Sequence, residues 1–281
     1  MQKTAIIGMG QVGGSLGKAL KKSGAGYYII GIDKKKDVLD AAVKAGAADE
    51  ASLNIATVKG CSVVVICTPS DLISSIYGKI AKIVDKNTII TDAASVKESV
   101  ETAVAKIYKK GKNIYGSFAP FVAAHPMAGR EKNGIVSADA KMFENAYVII
   151  TGSIPKSLKN ESIIAKMWRH AGAKTVKMPA KKHDELAAFT SHLPHIIAFA
   201  LNKIYKDIKK KNTEIDYLTA GSFKSMTRVS VSSADMWAPI FAMNGKNVDK
   251  FLKSFIKEIR VFEKDMKSPS KVKRDILRTQ K

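Results

Sequence analysis

The chain has 281 residues, 46% of them hydrophobic, and a formal net charge of +22. That length and apolar content mark a globular protein with one large core or two modest ones, and no apolar stretch approaches the about 18 residues of a membrane helix. The lysines fall in short runs, Lys34 to Lys36, Lys109 to Lys112 and Lys209 to Lys211, without interleaved aromatics. They therefore read as solvated faces rather than a nucleic-acid surface, and their field would gather anionic substrates.

In chain order, an apolar run from Thr4 to Ile7 predicts a strand, and it feeds Gly8-Met9-Gly10-Gln11-Val12-Gly13. A second strand, Tyr28-Ile29-Ile30-Gly31-Ile32, ends at Asp33. A glycine triplet that follows a strand, opens a helix and meets an acid about 20 positions later is a dinucleotide-binding fingerprint. Gly8 allows the tight turn, Gly10 lets backbone N–H groups approach a pyrophosphate, and Gly13 lets the helix pack closely on the strand. The phosphates would sit on the helix N-terminus beside Gln11 and Val12. Asp33 is placed to accept hydrogen bonds from an adenosine ribose and would repel a 2'-phosphate. NAD is therefore the expected cofactor, with NADP left open by Lys34 to Lys36.

Ser62 to Cys67 predicts a buried strand closed by Thr68 and Pro69, which would face the same cofactor. A helix over Asp71 to Val84 and a strand over Thr88 to Thr91 follow. A helix from Val96 to Lys109, which Ser95 could cap, leads to a strand over Phe121 to Ala124 that ends at His125-Pro126. Strands at Tyr147 to Ile150 and Thr175 to Met178 flank a helix at Ile163 to Ala171. From Lys181 onward the pattern is helical only, with one long helix from Leu186 to Ile208 despite Pro194. The expectation is an α/β fold: a Rossmann-type, doubly wound, mainly parallel sheet over residues 1–180, then an all-helical domain over 181–281. Phe199, Phe251, Phe255, Ile256 and Ile259 carry more apolar surface than such a helical domain needs, so a homodimer through it is expected. The tail from Lys267 to Lys281 reads as frayed. The N-terminus runs directly into a strand, which leaves no room for a leader. Cys61 and Cys67 read as core residues of a reducing compartment, and the expected location is the cytoplasm.

Ligands of an open α/β sheet sit beyond the carboxyl ends of its strands. Asp92 to Lys97 and His125 to Glu131 follow two of those ends, and His183-Asp184 to His195 opens the helical part. His192 and His195 are three apart, but nothing supplies the rest of a metal site, so no metal is expected. His170 and His183 read as structural or solvent-facing, and Trp237 as core.

These motifs carry a resemblance. The glycine fingerprint, Asp-x-x-Ser-x-Lys at Asp92, His-Pro-Met-Ala-Gly-x-Glu at His125, Ser-His-Leu-Pro-His at Ser191 and Gly-x-Phe-Lys-x-x-Thr-Arg at Gly221 stand in one order. In that order the chain resembles the prephenate/arogenate dehydrogenase family of tyrosine biosynthesis. The resemblance implies oxidation of a dianionic small molecule, prephenate or arogenate, with NAD or NADP and release of carbon dioxide. It implies that His125 is the catalytic histidine on the ring hydroxyl, with Ser95 close by. Arg228 would hold a substrate carboxylate, His195 would help bind it, and Lys224 and Gly221 would lie in the same subsite. Arg130 replaces a small residue common in the family. The alternative, a 3-hydroxyacid dehydrogenase, fits the histidine-rich segment less well.

Overall fold

The computed structural model describes residues 1–111, 118–129 and 134–280; Arg130 and Glu131 lie outside them. Short apolar runs buried on both faces form the strands, as a parallel sheet requires. In chain order the first part comprises β1 (Gln2–Ile7), α1 (Gln11–Lys22), β2 (Tyr27–Ile32), α2 (Lys36–Lys44), β3 (Glu50–Ser52), β4 (Val63–Ile66), α3 (Ile73–Ile80), β5 (Ile89–Asp92), α4 (Glu98–Lys110), β6 (Phe121–Pro126), β7 (Tyr147–Ile154), α5 (Leu158–His170) and β8 (Lys174–Lys177). They build one eight-stranded sheet in the order β3-β2-β1-β4-β5-β6-β7-β8. The first six are parallel, β7 runs antiparallel to β6, and β8 is parallel to β7. The chain reverses direction across the sheet between β1 and β4, the switch point that opens a ligand crevice at the carboxyl edge.

Each face of the sheet carries its own sealed core. Ile6, Leu16, Leu20, Ile29, Phe143 and Trp168 meet on one side, and Ile66, Ile73, Tyr77, Ile90 and Phe121 on the other.

The second part is helical: α6 (Ala180–Ala187), a π-helical turn (Ala188–His192), α7 (Leu193–Lys209), α8 (Ile215–Leu218), α9 (Gly221–Thr227), α10 (Ala234–Met243), α11 (Gly245–Asp265) and α12 (Pro269–Thr279). One expectation is refined and one corrected here. The helix predicted over Leu186 to Ile208 lies in a helical run without a non-helical residue from Ala180 to Lys209, with a π turn at 188–192 just ahead of Leu193-Pro194. Proline offers no N–H to the preceding turn, and the widened turn absorbs the loss. The tail read as frayed forms α12, with proline at its start and Asp275 held by Arg278 at 3.3 Å. Proline at a first helical position is pre-set for a helix.

Candidate active site

The glycine loop is shaped by contacts that only glycine permits. Gly8 has φ +95°, and a Cβ there would lie 2.6 Å from the Cys67 carbonyl oxygen. A Cβ on Gly13 would lie 2.1 Å from the Gly8 oxygen, so α1 is pressed against the turn. Gly10, by contrast, has nothing within 4 Å of its Cβ position. It precedes Gln11 and Val12 at the start of α1, where no side chain among the described residues caps the helix. The N–H groups of a helix start attract anions. Asp33 closes the loop from β2: its carboxylate accepts from the N–H of Met9 at 3.0 Å and of Lys35 at 3.1 Å. Across the crevice, Thr68 Oγ1 is buried beside Gly8 with no partner among the described residues, and Pro69 follows it, exposed. An open glycine at a helix start and, among the described residues, a buried hydroxyl without a partner fit a dinucleotide pyrophosphate.

At the ends of β5 and β6 the structure assembles a buried polar network. Asp92 ends β5, and its Oδ1 accepts from the N–H of Ala124 on β6 at 3.0 Å. Its Oδ2 accepts from the Ala94 N–H at 3.1 Å and pairs with the Lys97 ammonium, which also donates to the Ala124 carbonyl at 2.8 Å. Lys97 is 0% exposed, and a lysine tolerates that only when it is fully paired. This clamp fixes the loop of Ala93, Ala94 and Ser95 beside β6, where His125 stands one residue further on. Val96 is buried against Trp237 and Ile240 of α10, so the same loop docks the helical part.

The helical part answers with side chains. His183 of α6 places Nε2 at 2.8 Å from His125 Nδ1, and the rings meet edge to face. His183 Nδ1 lies 2.8 Å from Asp184 Oδ1. Asp184 also accepts from the first N–H groups of α4, Lys97 at 2.8 Å and Glu98 at 2.9 Å. The cap of α4 therefore comes from α6, and the helix begins at Glu98, which corrects the expectation that Ser95 caps it at Val96. His183, read from the sequence as structural or solvent-facing, is buried against His125, which leaves the structural reading standing and rules out the solvent-facing one. Asn244 extends the network, donating to the Asp184 carbonyl at 2.8 Å and lying 3.1 Å from His192 Nδ1.

Burial holds His125 well below the ordinary histidine pKa, and His183, Lys97 and His192 press it further in the same direction. Burial pushes His192 down to about 4 and lowers His195 as well. His195 donates from Nδ1 to the Ser191 carbonyl at 2.9 Å, as an N–H must toward an oxygen, and stacks on Trp237 at 3.6 Å. Trp237 is core, as expected, yet its indole N–H has no partner among the described residues.

The structure thus joins His125 to His183, Asp184, Asn244, His192, Trp237 and His195 through successive contacts. Gly221, Lys224 and Arg228 are not in that chain. They stand exposed on α9 and the turn after it, which packs on α7, the helix that carries His195. Sequence reasoning assigned no role to Asp92, Lys97, Asp184 or Asn244. Asp92 and Lys97 are the ends of the Asp-x-x-Ser-x-Lys motif, and Asp184 follows His183 directly. Asn244 had no signal.

A family model described as prephenate dehydrogenase, nucleotide-binding domain, matches residues 16–177, and another, prephenate dehydrogenase, dimerization domain, matches 179–276. The chain is 31% identical to the prephenate dehydrogenase of Bacillus subtilis, over 94% of its length and 69% of the relative's. It is also 31% identical to the cyclohexadienyl dehydrogenase of Zymomonas mobilis, over 91% of its length and 85% of the relative's. The crystal structure of A. aeolicus prephenate dehydrogenase in complex with hydroxyphenyl propionate and NAD+ matches with a TM-score of 0.89 at 28% identity, covering 100% of this chain and 96% of that one. With both halves matched in order and the sheet, crevice and helical part described above, the chain belongs to the prephenate dehydrogenase family.

Proposed function

We propose that the chain is an NAD-dependent prephenate dehydrogenase, which oxidises and decarboxylates prephenate to 4-hydroxyphenylpyruvate in tyrosine biosynthesis. The observation that carries this reading is the pairing, at the carboxyl edge of one sheet, of an anion-ready glycine loop with a buried histidine kept neutral. It occurs in a chain that matches, over its whole length, a fold solved with NAD+ and a hydroxyphenyl acid.

NAD, when bound, supplies the hydride acceptor. Gly8, Gly10, Gln11, Val12 and Gly13 would hold its pyrophosphate, Asp33 the adenosine ribose, and Thr68 and Pro69 the opposite wall. As the C–H electron pair leaves the ring carbon, its hydroxyl becomes a carbonyl and must release a proton. A neutral His125 accepts it, with Ser95 beside the same oxygen. Loss of the ring carboxylate as carbon dioxide then restores aromaticity. Arg228 and His195 bind the carboxylates of the dianion, where a planar guanidinium forms two parallel bonds, and Lys224 and Gly221 complete that subsite. The working form is a homodimer through the helical part, in the cytoplasm, without a nucleic-acid or membrane partner.

A second substrate, arogenate, is favoured by the likeness to a cyclohexadienyl dehydrogenase. The test is the appearance of reduced nicotinamide in four mixtures: NAD or NADP, each with prephenate or arogenate. Turnover with NAD and prephenate is expected, and silence in all four from protein that binds NAD would overturn the proposal.

A further inference from the structure

We infer that His183 and Asp184 are positioning residues that fix the tautomer of His125 and hold the proton it takes from substrate until that proton is returned. This rests on the reaction proposed above.

The direction of the chain follows from which atoms can donate. Asp184 Oδ1 faces the Lys97 N–H at 2.8 Å and Oδ2 faces the Glu98 N–H at 2.9 Å. Backbone N–H groups only donate, so both oxygens are acceptors. His183 Nδ1, 2.8 Å from Oδ1, therefore carries a hydrogen. In a neutral imidazole the other nitrogen is then bare. His183 Nε2 accepts, and the 2.8 Å contact requires the hydrogen on His125 Nδ1. The lone pair of His125 is left on Nε2, the nitrogen not engaged by His183. One carboxylate thereby sets which nitrogen of a histidine on another element is basic.

The same chain solves a charge problem. A cation on His125 is opposed by its burial and by any charge on His183, Lys97 and His192, and the Lys97 charge is itself balanced by Asp92 on β5. The one acid in direct contact with the imidazole pair, among the described residues, is Asp184 on α6, on the far side of His183. As hydride leaves the ring carbon, the hydroxyl O–H pair closes the carbonyl, and its proton goes to His125 Nε2. The Nδ1 proton of His125 passes to His183 Nε2, so the positive charge rests on His183 against Asp184. When the C–C pair released by decarboxylation reaches the ring and its oxygen, the transfers reverse and the phenol is formed. The proton is borrowed and returned, so prephenate and NAD+ yield 4-hydroxyphenylpyruvate, carbon dioxide and NADH with no net proton.

Two measurements decide this. Nitrogen NMR on the free protein labelled in its histidines should show His125 protonated at Nδ1 and bare at Nε2, and the reverse tautomer overturns the inference whatever the substrate. Kinetically, His183→Gln keeps a hydrogen-bonding partner for His125 but cannot take a proton, whereas His183→Asn removes that partner. Both should lower kcat, His183→Gln by about 10²-fold and His183→Asn by more, with KM within a few fold and a displaced acid limb in the kcat profile. Unchanged kcat and pH profile in His183→Gln overturn the relay. A loss confined to KM and thermal midpoint assigns the pair a structural role instead. If the unaltered chain turns over neither prephenate nor arogenate, the substrate reading fails, and the tautomer measurement alone judges the inference.

Discussion

The sheet half and the helical half solve the problem of burial differently. The sheet seals a core on each face, with Ile6, Leu16 and Trp168 on one side and Ile66, Tyr77 and Phe121 on the other fully withdrawn from water. In the helical half, the 21-residue α11 buries a single residue, Val248, while Ile204, Leu218, Met226, Val231, Ile256 and Ile259 stand exposed. That much exposed apolar surface is what the proposed homodimer would cover. The family model of the helical half is described as a dimerization domain. The proposed chemistry belongs to neither core. His125 comes from the sheet and its partner His183 from α6, so the proposed site lies at the junction of the two halves.

The sharpest way to break that description is at the junction itself. His125→Asn should lower turnover by about 10³-fold with NAD affinity unchanged by calorimetry, because the glycine loop is untouched. An equal loss of both would place the histidine in the nucleotide site instead. Within the sheet half, two alanines separate packing from binding. Gly13→Ala puts a Cβ 2.1 Å from a backbone oxygen and should lower stability by about 2 kcal/mol or more and abolish nucleotide binding. Gly10→Ala, in open space, should leave stability within about 1 kcal/mol and weaken only the nucleotide, as paired melting and titration curves would show.

In the helical half, Ile256→Asp with Ile259→Asp should convert dimers to monomers in sedimentation and leave the sheet's circular dichroism intact. An unaltered chain that is already monomeric would contradict the proposed assembly. The two halves also share a dependence on pH. The unfolded chain protonates its histidines near 6.5, whereas folded His192 resists to about 4 and folded His125 lies well below 6.5. Stability is therefore full above pH 6.5 and declines below it, by at most about 1.4 kcal/mol per pH unit for each histidine. Denaturation midpoints at pH 7.5 and 5 read this directly, and equal midpoints would mean these groups are protonated in the fold.

The nucleotide loop was legible because its physics is local: Gly8, Gly10 and Gly13 sit within six positions and Asp33 at the end of the next strand. The sheet followed from buried apolar runs such as Val63–Ile66. The junction was not legible for the opposite reason. His125 and His183 are 58 positions apart, and Asp184 caps a helix 87 positions upstream of it, so no periodicity links them. Lys97 was hidden by its type, because a lysine is read as a surface residue unless its partner is known. The π turn before Pro194 and the α12 start at Pro269 were visible as prolines, and their consequences depended on neighbouring turns.

The most direct test of the proposed chemistry is stoichiometry: carbon dioxide and reduced nicotinamide measured together as the purified chain consumes prephenate with NAD. One carbon dioxide per NADH is expected, with 4-hydroxyphenylpyruvate as the product. Reduced nicotinamide without carbon dioxide would make the chain a dehydrogenase of another kind, and carbon dioxide without NADH would contradict the role given to the glycine loop.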